Sequence, residues 1–265
     1  MSAAGIYRAR GWLPGPHLQT IYPAQLAPRA KIKYRRERWQ TPDDDFVDID
    51  FTEGADPDSP LLVLFHGLEG CSRSHYAQAI MAQARAQRWQ GAVAHFRGCS
   101  GELNLAPRAY HSGDSEEIDW MLRRFAQRFQ HRLRFAVGVS LGGNALLKWL
   151  GESGQSANAI VRRAAAVSPP QDLRAGAWAL NQGISRIYTW NFFKSLKRKS
   201  LAKLRQHPGL FDKERMMAAR NFFEFDDVVT GPIHGFSSCY DYWYRSSCRQ
   251  YLNTIDVPTL ILNAK

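Results

Sequence analysis

"RFAVGVSLGGNALL" runs from Arg134 to Leu147: an apolar run, a serine set between glycines, and a second apolar run. Gly138-Val139-Ser140-Leu141-Gly142 matches the pattern G-x-S-x-G. Chance produces that pattern often, so its setting is what informs. It follows a buried-type strand and precedes a run with helical spacing, so the chain turns from strand to helix at the serine. The glycines remove side chains that would clash in so sharp a turn, and the Ser140 hydroxyl is thereby presented at the end of a sheet. The first turn of the following helix leaves the Leu141 N–H without an intrahelical partner, ready for an anion developing beside Ser140. A second donor of this kind belongs on the loop after an earlier strand. "LFHGLEG" ends the run from Leu61 at His66-Gly67, which makes the backbone N–H of Leu68 the candidate and His66 a support for the loop.

Outward from this turn, "PLLVLFHG", "GAVAHFRG", "RAAAVSPP" and "VPTLILNA" are short and dense in Val, Leu, Ile, Phe and Ala. They do not alternate cleanly, as expected of parallel strands covered on both faces. "DFVDIDFTEG", 45–54, does alternate, and predicts a half-buried strand in an antiparallel opening. Helical patterns fill 74–89 and 114–129, the latter with Ile118, Met121, Leu122, Phe125 and Phe129 in register and Asp114 with Glu117 as a start signal. The fold class is therefore α/β: a mostly parallel sheet with helices on both faces. From 173 to 250 the buried-strand runs cease and Trp, Tyr, Phe, Lys and Arg dominate. This stretch reads as a helical cap insertion within a single domain spanning 1–265.

At 265 residues and 45% hydrophobic, the chain can bury one large core. The apolar runs are too short to span a bilayer and the N-terminus lacks a hydrophobic signal core, so a soluble, cytoplasmic protein is expected. The net charge of +11 concentrates at "KIKYRRER", 31–38, and "KSLKRKSLAKLR", 194–205. The first reads as a solvated face ahead of the first strand. The second predicts a helix with an apolar stripe and a basic face, either a solvated lid or a peripheral membrane contact. No nucleic-acid-binding module accompanies the charge. Cys71, Cys99, Cys239 and Cys248 form no C-x-x-C pair and read as reduced structural thiols. No metal or organic cofactor is implied.

The HG-x-x-G loop, the serine turn, and the strings "GWLPGPHLQTIYP", "RGCSGELNLAPRAYHSGDSEEIDWML", "GVSLGGNALLKWLGE" and "IHGFSSCYDYWYRSSC" resemble the YheT-like branch of the α/β-hydrolases over nearly the whole chain. That resemblance implies an α/β-hydrolase fold and a serine carboxylesterase or acylglycerol-lipase type of activity on a small acyl ester. Ser140 would be the nucleophile and Leu68 and Leu141 the backbone donors. In this fold the acid and then the histidine follow the serine. Only His207 and His234 follow Ser140, both within the insertion, and His234 reads as a brace of the cap. Asp172 is an alternative acid, His111 a helix-entry residue, and Asp43-Asp44-Asp45 a solvated turn. The acid and base are expected beyond Lys265, so the core reads as C-terminally incomplete and the chain alone as a very poor esterase. An acyltransferase, or a non-catalytic acyl-lipid or partner-binding protein, is the rival reading. The insertion's Trp178, Tyr188, Trp190, Phe192 and Phe193 would suit an acyl chain.

Overall fold

A computed structural model describes residues 11–54 and 56–264, without the side chain of Ile184. The N-terminus up to Arg10, read above for a signal core, lies outside the described residues. After a first helix, α1 Gly15–Gln25, seven strands of the described residues form one sheet: β1 Arg35–Gln40, β2 Phe46–Phe51, β3 Leu61–Phe65, β4 Gln90–Ala94, β5 Arg134–Val139, β6 Arg163–Val167 and β7 Thr259–Leu262. Their spatial order is β1-β2-β4-β3-β5-β6-β7. The first two strands join antiparallel, and the pairs from β4 to β7 are parallel.

The dense strand sequences have a direct packing cause. On β3, Leu61, Val63 and Phe65 pack with residues of α3 Ser115–Arg128 and α4 Leu141–Ser153. Leu62 and Leu64 pack with Ala77, Met81 and Ala84 of α2 His75–Ala86. Both faces are covered, so alternation disappears. The chain leaves β3 toward β4 through α2, while β5 lies on its other side. The loops after β3 and β5 therefore open at the point where the strand order reverses, the usual ligand crevice of an open α/β sheet.

Three readings of the N-terminal part need correction. The strand at 46–51 is buried along its whole length, although it alternates. Its polar positions face ion pairs: Arg36 grips Asp50 at 2.7 and 2.9 Å, and Arg38 grips Asp48 at 2.9 and 3.0 Å. The basic stretch 31–38 is thus in large part β1 and not a lead-in to the first strand; Arg35, Arg36 and Arg38 stay exposed as a solvated face while Arg36 and Arg38 supply the cations for those carboxylates. The acidic turn is likewise engaged: Arg97 contacts Asp43 at 2.8 Å and Asp45 at 2.9 Å, and Asp45 also accepts the Leu105 and Ala106 N–H groups. The helix start read at Asp114 holds, since α3 begins at Ser115 with Asp114 in the N-cap position, but neither acid makes a side-chain cap bond. Asp114 pairs with Arg108 and Glu117 with Arg97, both at 2.7 Å.

Between β6 and β7 the described chain consists of helices joined by turns. It comprises α5 Leu173–Leu180, α6 Arg186–Gln206, α7 Lys213–Ala218, α8 Phe222–Phe225, a π-helical turn into α9 Gly231–Ile233, α10 Cys239–Ser246 and a 3-10 stretch to Thr254. Phe193, Met216, Phe225, Val228 and Val229 give this segment a core of its own. The last strand, read as buried, alternates: Leu260 and Leu262 are 54% and 49% exposed at the outer strand of the described sheet. Among the described residues no helix is long and apolar enough to cross a membrane.

Candidate active site

Ser140 is the single residue between β5 and α4, and its backbone lies at φ +52°, ψ −119°. A residue with a Cβ pays about 1–3 kcal/mol for such a conformation, and only surrounding structure can hold it there. The Ser140 N–H donates to the Val167 carbonyl at 2.8 Å and its carbonyl accepts from the Asn144 N–H at 3.0 Å. The flanking glycines are required by contact. A Cβ on Gly138 would fall 2.4 Å from the Gly142 carbonyl oxygen, and one on Gly142 would fall 2.5 Å from the carbonyl oxygens of both Phe65 and His66. Asn144, fully buried on α4, donates to the Ser112 and Ser246 carbonyls and accepts from the Cys248 N–H, tying the turn to the helical segment.

The loop after β3 meets this turn at Gly67, where a Cβ would sit 3.2 Å from the Ser140 Cβ. His66 is buried; the Phe96 N–H donates to its Nε2 at 3.1 Å, so Nδ1 carries the proton and faces the Gly67 carbonyl at 2.8 Å. Burial pushes the imidazole pKa down to about 3, so the ring is neutral. Two tyrosines then fix the loop: the Gly67 N–H donates to the Tyr76 hydroxyl at 2.9 Å and the Glu69 N–H to the Tyr110 hydroxyl at 2.8 Å. Among the described residues, the Leu68 N–H between them and the Leu141 N–H have no protein acceptor. Leu68, Ser140 and Leu141 line one cavity of about 240 Å³.

The cavity's far wall is the helical segment, including Leu173, Leu196, Phe211, Phe222 and Val229. Of the five aromatics read as suiting an acyl chain, only Phe192 lines the cavity. Phe193 packs in the segment's own core, and Trp178 and Trp190 face outward because their positions fall on the solvent side of α5 and α6. The basic helix is not simply solvated either. Lys199 reaches inward to Glu69 at 2.8 Å, and buried Lys203 donates to the Asn104 and Ala106 carbonyls at 2.6 and 2.5 Å. Burial pushes the Lys203 ammonium pKa down to about 8.

His111 and His234 also line this cavity, their ring centroids 4.6 Å apart. His111, read as a helix-entry residue, is therefore a wall residue; its Nδ1 accepts the Gly113 N–H at 3.2 Å. His234 Nδ1 lies 2.9 Å from the Thr230 carbonyl within the helical segment, and Nε2, 3.1 Å from the Ala109 carbonyl, bridges that segment to the loop after β4. Burial lowers both pKa values, that of His111 to about 3. Asp114 is buried beside them; burial raises its pKa, but His111 and Arg108 outweigh this and hold the carboxyl below its ordinary value. Asp172 caps α5, accepting the Ala175 N–H at 3.0 Å, with Arg249 at 3.5 Å, and its carboxylate is thus engaged locally. His207 meets the Leu105 carbonyl at 2.8 Å. Glu69 and Lys199 were visible only as members of the HG-x-x-G loop and the basic helix, and no pattern singled out Tyr76 or Tyr110. Only the adjacency of Tyr110 and His111 before "SGD" hinted at this wall.

A seven-stranded sheet with a strained serine turn at its reversal point defines a class, and comparison gives the same one. The chain belongs to the α/β hydrolase fold family, which matches it over residues 60–265. Within that family the likeness is to YheT: "Putative esterase YheT" of Escherichia coli (strain K12) is 39% identical over 253 residues, covering 94% of this chain and 74% of that protein. The monoacylglycerol lipase of Saccharomyces cerevisiae is 28% identical over 87% of this chain and 51% of its own length. Phospholipase ABHD3 of Mus musculus is 24% identical over 93% of this chain and 61% of its own length. The chain thus spans between about half and three quarters of these relatives.

Proposed function

We propose that this chain carries the nucleophile and oxyanion half of a serine hydrolase acting on carboxylic esters. The observation that carries the reading is the pairing of a Ser140 held at positive φ with two unpaired N–H groups, Leu68 and Leu141, at one apolar cavity. Ser140 Oγ attacks the ester carbonyl carbon and loses its proton to a base. The two N–H groups stabilise the oxyanion, the alcohol leaves with a proton, and water then cleaves the acyl-serine to a free acid. Relatives named esterase, monoacylglycerol lipase and phospholipase support an ester of a carboxylic acid as substrate.

None of the described histidines around the cavity presents a ring nitrogen free to take the Ser140 proton. His66 and His234 have their ring nitrogens engaged by backbone groups, and His111 takes an N–H on Nδ1. Without a base, the serine and its two donors would keep at most the residual enhancement of about 10³ over water that an oxyanion hole and binding provide. Fluorophosphonate labelling of the full-length protein tests the reading: adduct on Ser140, lost together with ester hydrolysis in Ser140→Ala, is expected. An unlabelled Ser140 overturns it in favour of a binding protein. Transfer of the acyl group to added alcohols in preference to water turns it into an acyltransferase.

A further inference from the structure

The 34 residues Leu173–Gln206 contain eight Lys and Arg and no Asp or Glu. Most of this stretch is α6, and its two faces do different things. The inner face lines the cavity through Phe192, Leu196, Lys199 and Ser200. The outer face carries Ile187 and Trp190, 63% and 62% exposed, followed at helical spacing by exposed Lys194 and Arg198. Lys194 Nζ stands 3.4 Å over the Trp190 ring, so the cation and the indole occupy one spot of the surface. Trp178 of α5, 46% exposed, lies two residues before Leu180, whose carbonyl accepts from Thr189 Oγ1 on α6 at 2.8 Å, so the end of α5 adjoins the start of α6.

A lone exposed apolar side chain needs no explanation. Two exposed tryptophans and an isoleucine with lysine and arginine on an acid-free stretch of chain are another matter. Indole and aliphatic groups favour the boundary between headgroups and acyl chains, and Lys and Arg favour anionic headgroups. A protein partner with an acidic groove would satisfy the cations but leave two half-exposed indoles on a polar rim. We propose that the outer face of α5 and α6, centred on Trp178, Ile187, Trp190, Lys194 and Arg198, docks on an anionic lipid bilayer. Docking would set the cavity wall, formed by the opposite face of the same helix, within about one helix diameter, ~10 Å, of the lipid surface. This goes beyond the ester reading and holds whether or not Ser140 is a nucleophile.

Sedimentation of the 265-residue chain with vesicles tests it without any catalytic assay. Binding is expected to phosphatidylcholine vesicles containing phosphatidylglycerol, not to phosphatidylcholine alone, and is expected to weaken as salt rises. The pair Lys194→Glu and Arg198→Glu should lower vesicle affinity by about 20-fold or more, because each cation near such a surface contributes roughly five-fold and reversal adds repulsion. Trp190→Ser should lower it by about ten-fold. Both variants alter exposed side chains and should keep the parent circular dichroism and melting temperature. The control reverses exposed Arg162 and Arg163 at the opposite, N-terminal end of β6, and should bind within about two-fold of the parent. No binding to anionic vesicles, equal binding to both compositions, or equal loss in the control overturns the proposal.

Discussion

The two walls of the cavity are held by different physics. On the sheet side, the loops after β3 and β5 are fixed by backbone: glycines in contact with carbonyl oxygens, tyrosine hydroxyls on N–H groups, and a serine forced to positive φ. On the helical side, aromatic side chains pack on one another and two lysines reach across to the core. The first wall has no room for a methyl group, while the second is set by side chains that can repack. Catalytic geometry belongs on the first and substrate fit on the second.

The largest expected effect separates the walls by sign. Gly142→Ala puts a Cβ against two carbonyl oxygens and should destabilise by about 3 kcal/mol, read as a loss of melting temperature. Gly176→Ala on α5 meets only the Pro170 Cβ, at 3.4 Å, and should stabilise by about 0.5–1 kcal/mol through helix propensity. Equal effects of the two would erase the contrast. Next comes Lys203→Met, which strips the donor from the Asn104 and Ala106 carbonyls and should cost about 2 kcal/mol, detaching α6 more readily than it unfolds the sheet. Hydrogen exchange should then rise in 186–206 before it rises in 134–153.

Tyr110→Phe sharpens the comparison further, because its two products differ. Removing the hydroxyl that accepts from the Glu69 N–H and donates to the Glu69 carboxylate should cost about 1 kcal/mol of stability. It also frees the segment that aims the Leu68 N–H, so fluorophosphonate labelling of Ser140 in the full-length protein should slow about ten-fold. A labelling rate unchanged by Tyr110→Phe would mean that Leu68 is not held from that side.

The sheet-side wall was legible in the sequence because its determinants are local. A glycine pattern around Ser140, a strand before it and a helix after it all lie within about a dozen residues, and the contact of Gly67 with Ser140 follows from the same turn geometry. The N-terminal strands were misread because burial of Asp48 and Asp50 depends on Arg36 and Arg38 from a neighbouring strand, a pairing that no periodicity encodes. The helical wall was least legible. Lysine spacing on α6 predicts a basic face, but whether Lys199 turns inward is decided by Glu69, 130 residues away. The aromatic residues were assigned to the cavity on composition alone, and the rotation of α6 sends Trp190 outward and Phe192 inward.

Acid should test the two walls last and most gently. His66 is neutral in the folded chain, its pKa pushed by burial to about 3 against 6.5 when unfolded. A depressed histidine pKa means that the unfolded chain binds more protons below pH 6.5. Its contribution to stability is therefore complete above that value and declines as pH falls toward 3, by at most about 1.4 kcal/mol per pH unit. His234 on the helical side is depressed by burial too, but the Thr230 and Ala109 carbonyls on its two nitrogens favour the protonated ring and oppose that effect. His66 has the Gly67 carbonyl on one nitrogen alone, and protonating its Nε2 would set a proton against the Phe96 N–H. Denaturant melts between pH 7 and 4 should thus lose more of their acid slope in His66→Gln than in His234→Gln. The reverse order would place the acid-sensitive wall on the helical side and undo the assignment of rigid geometry to the loop after β3.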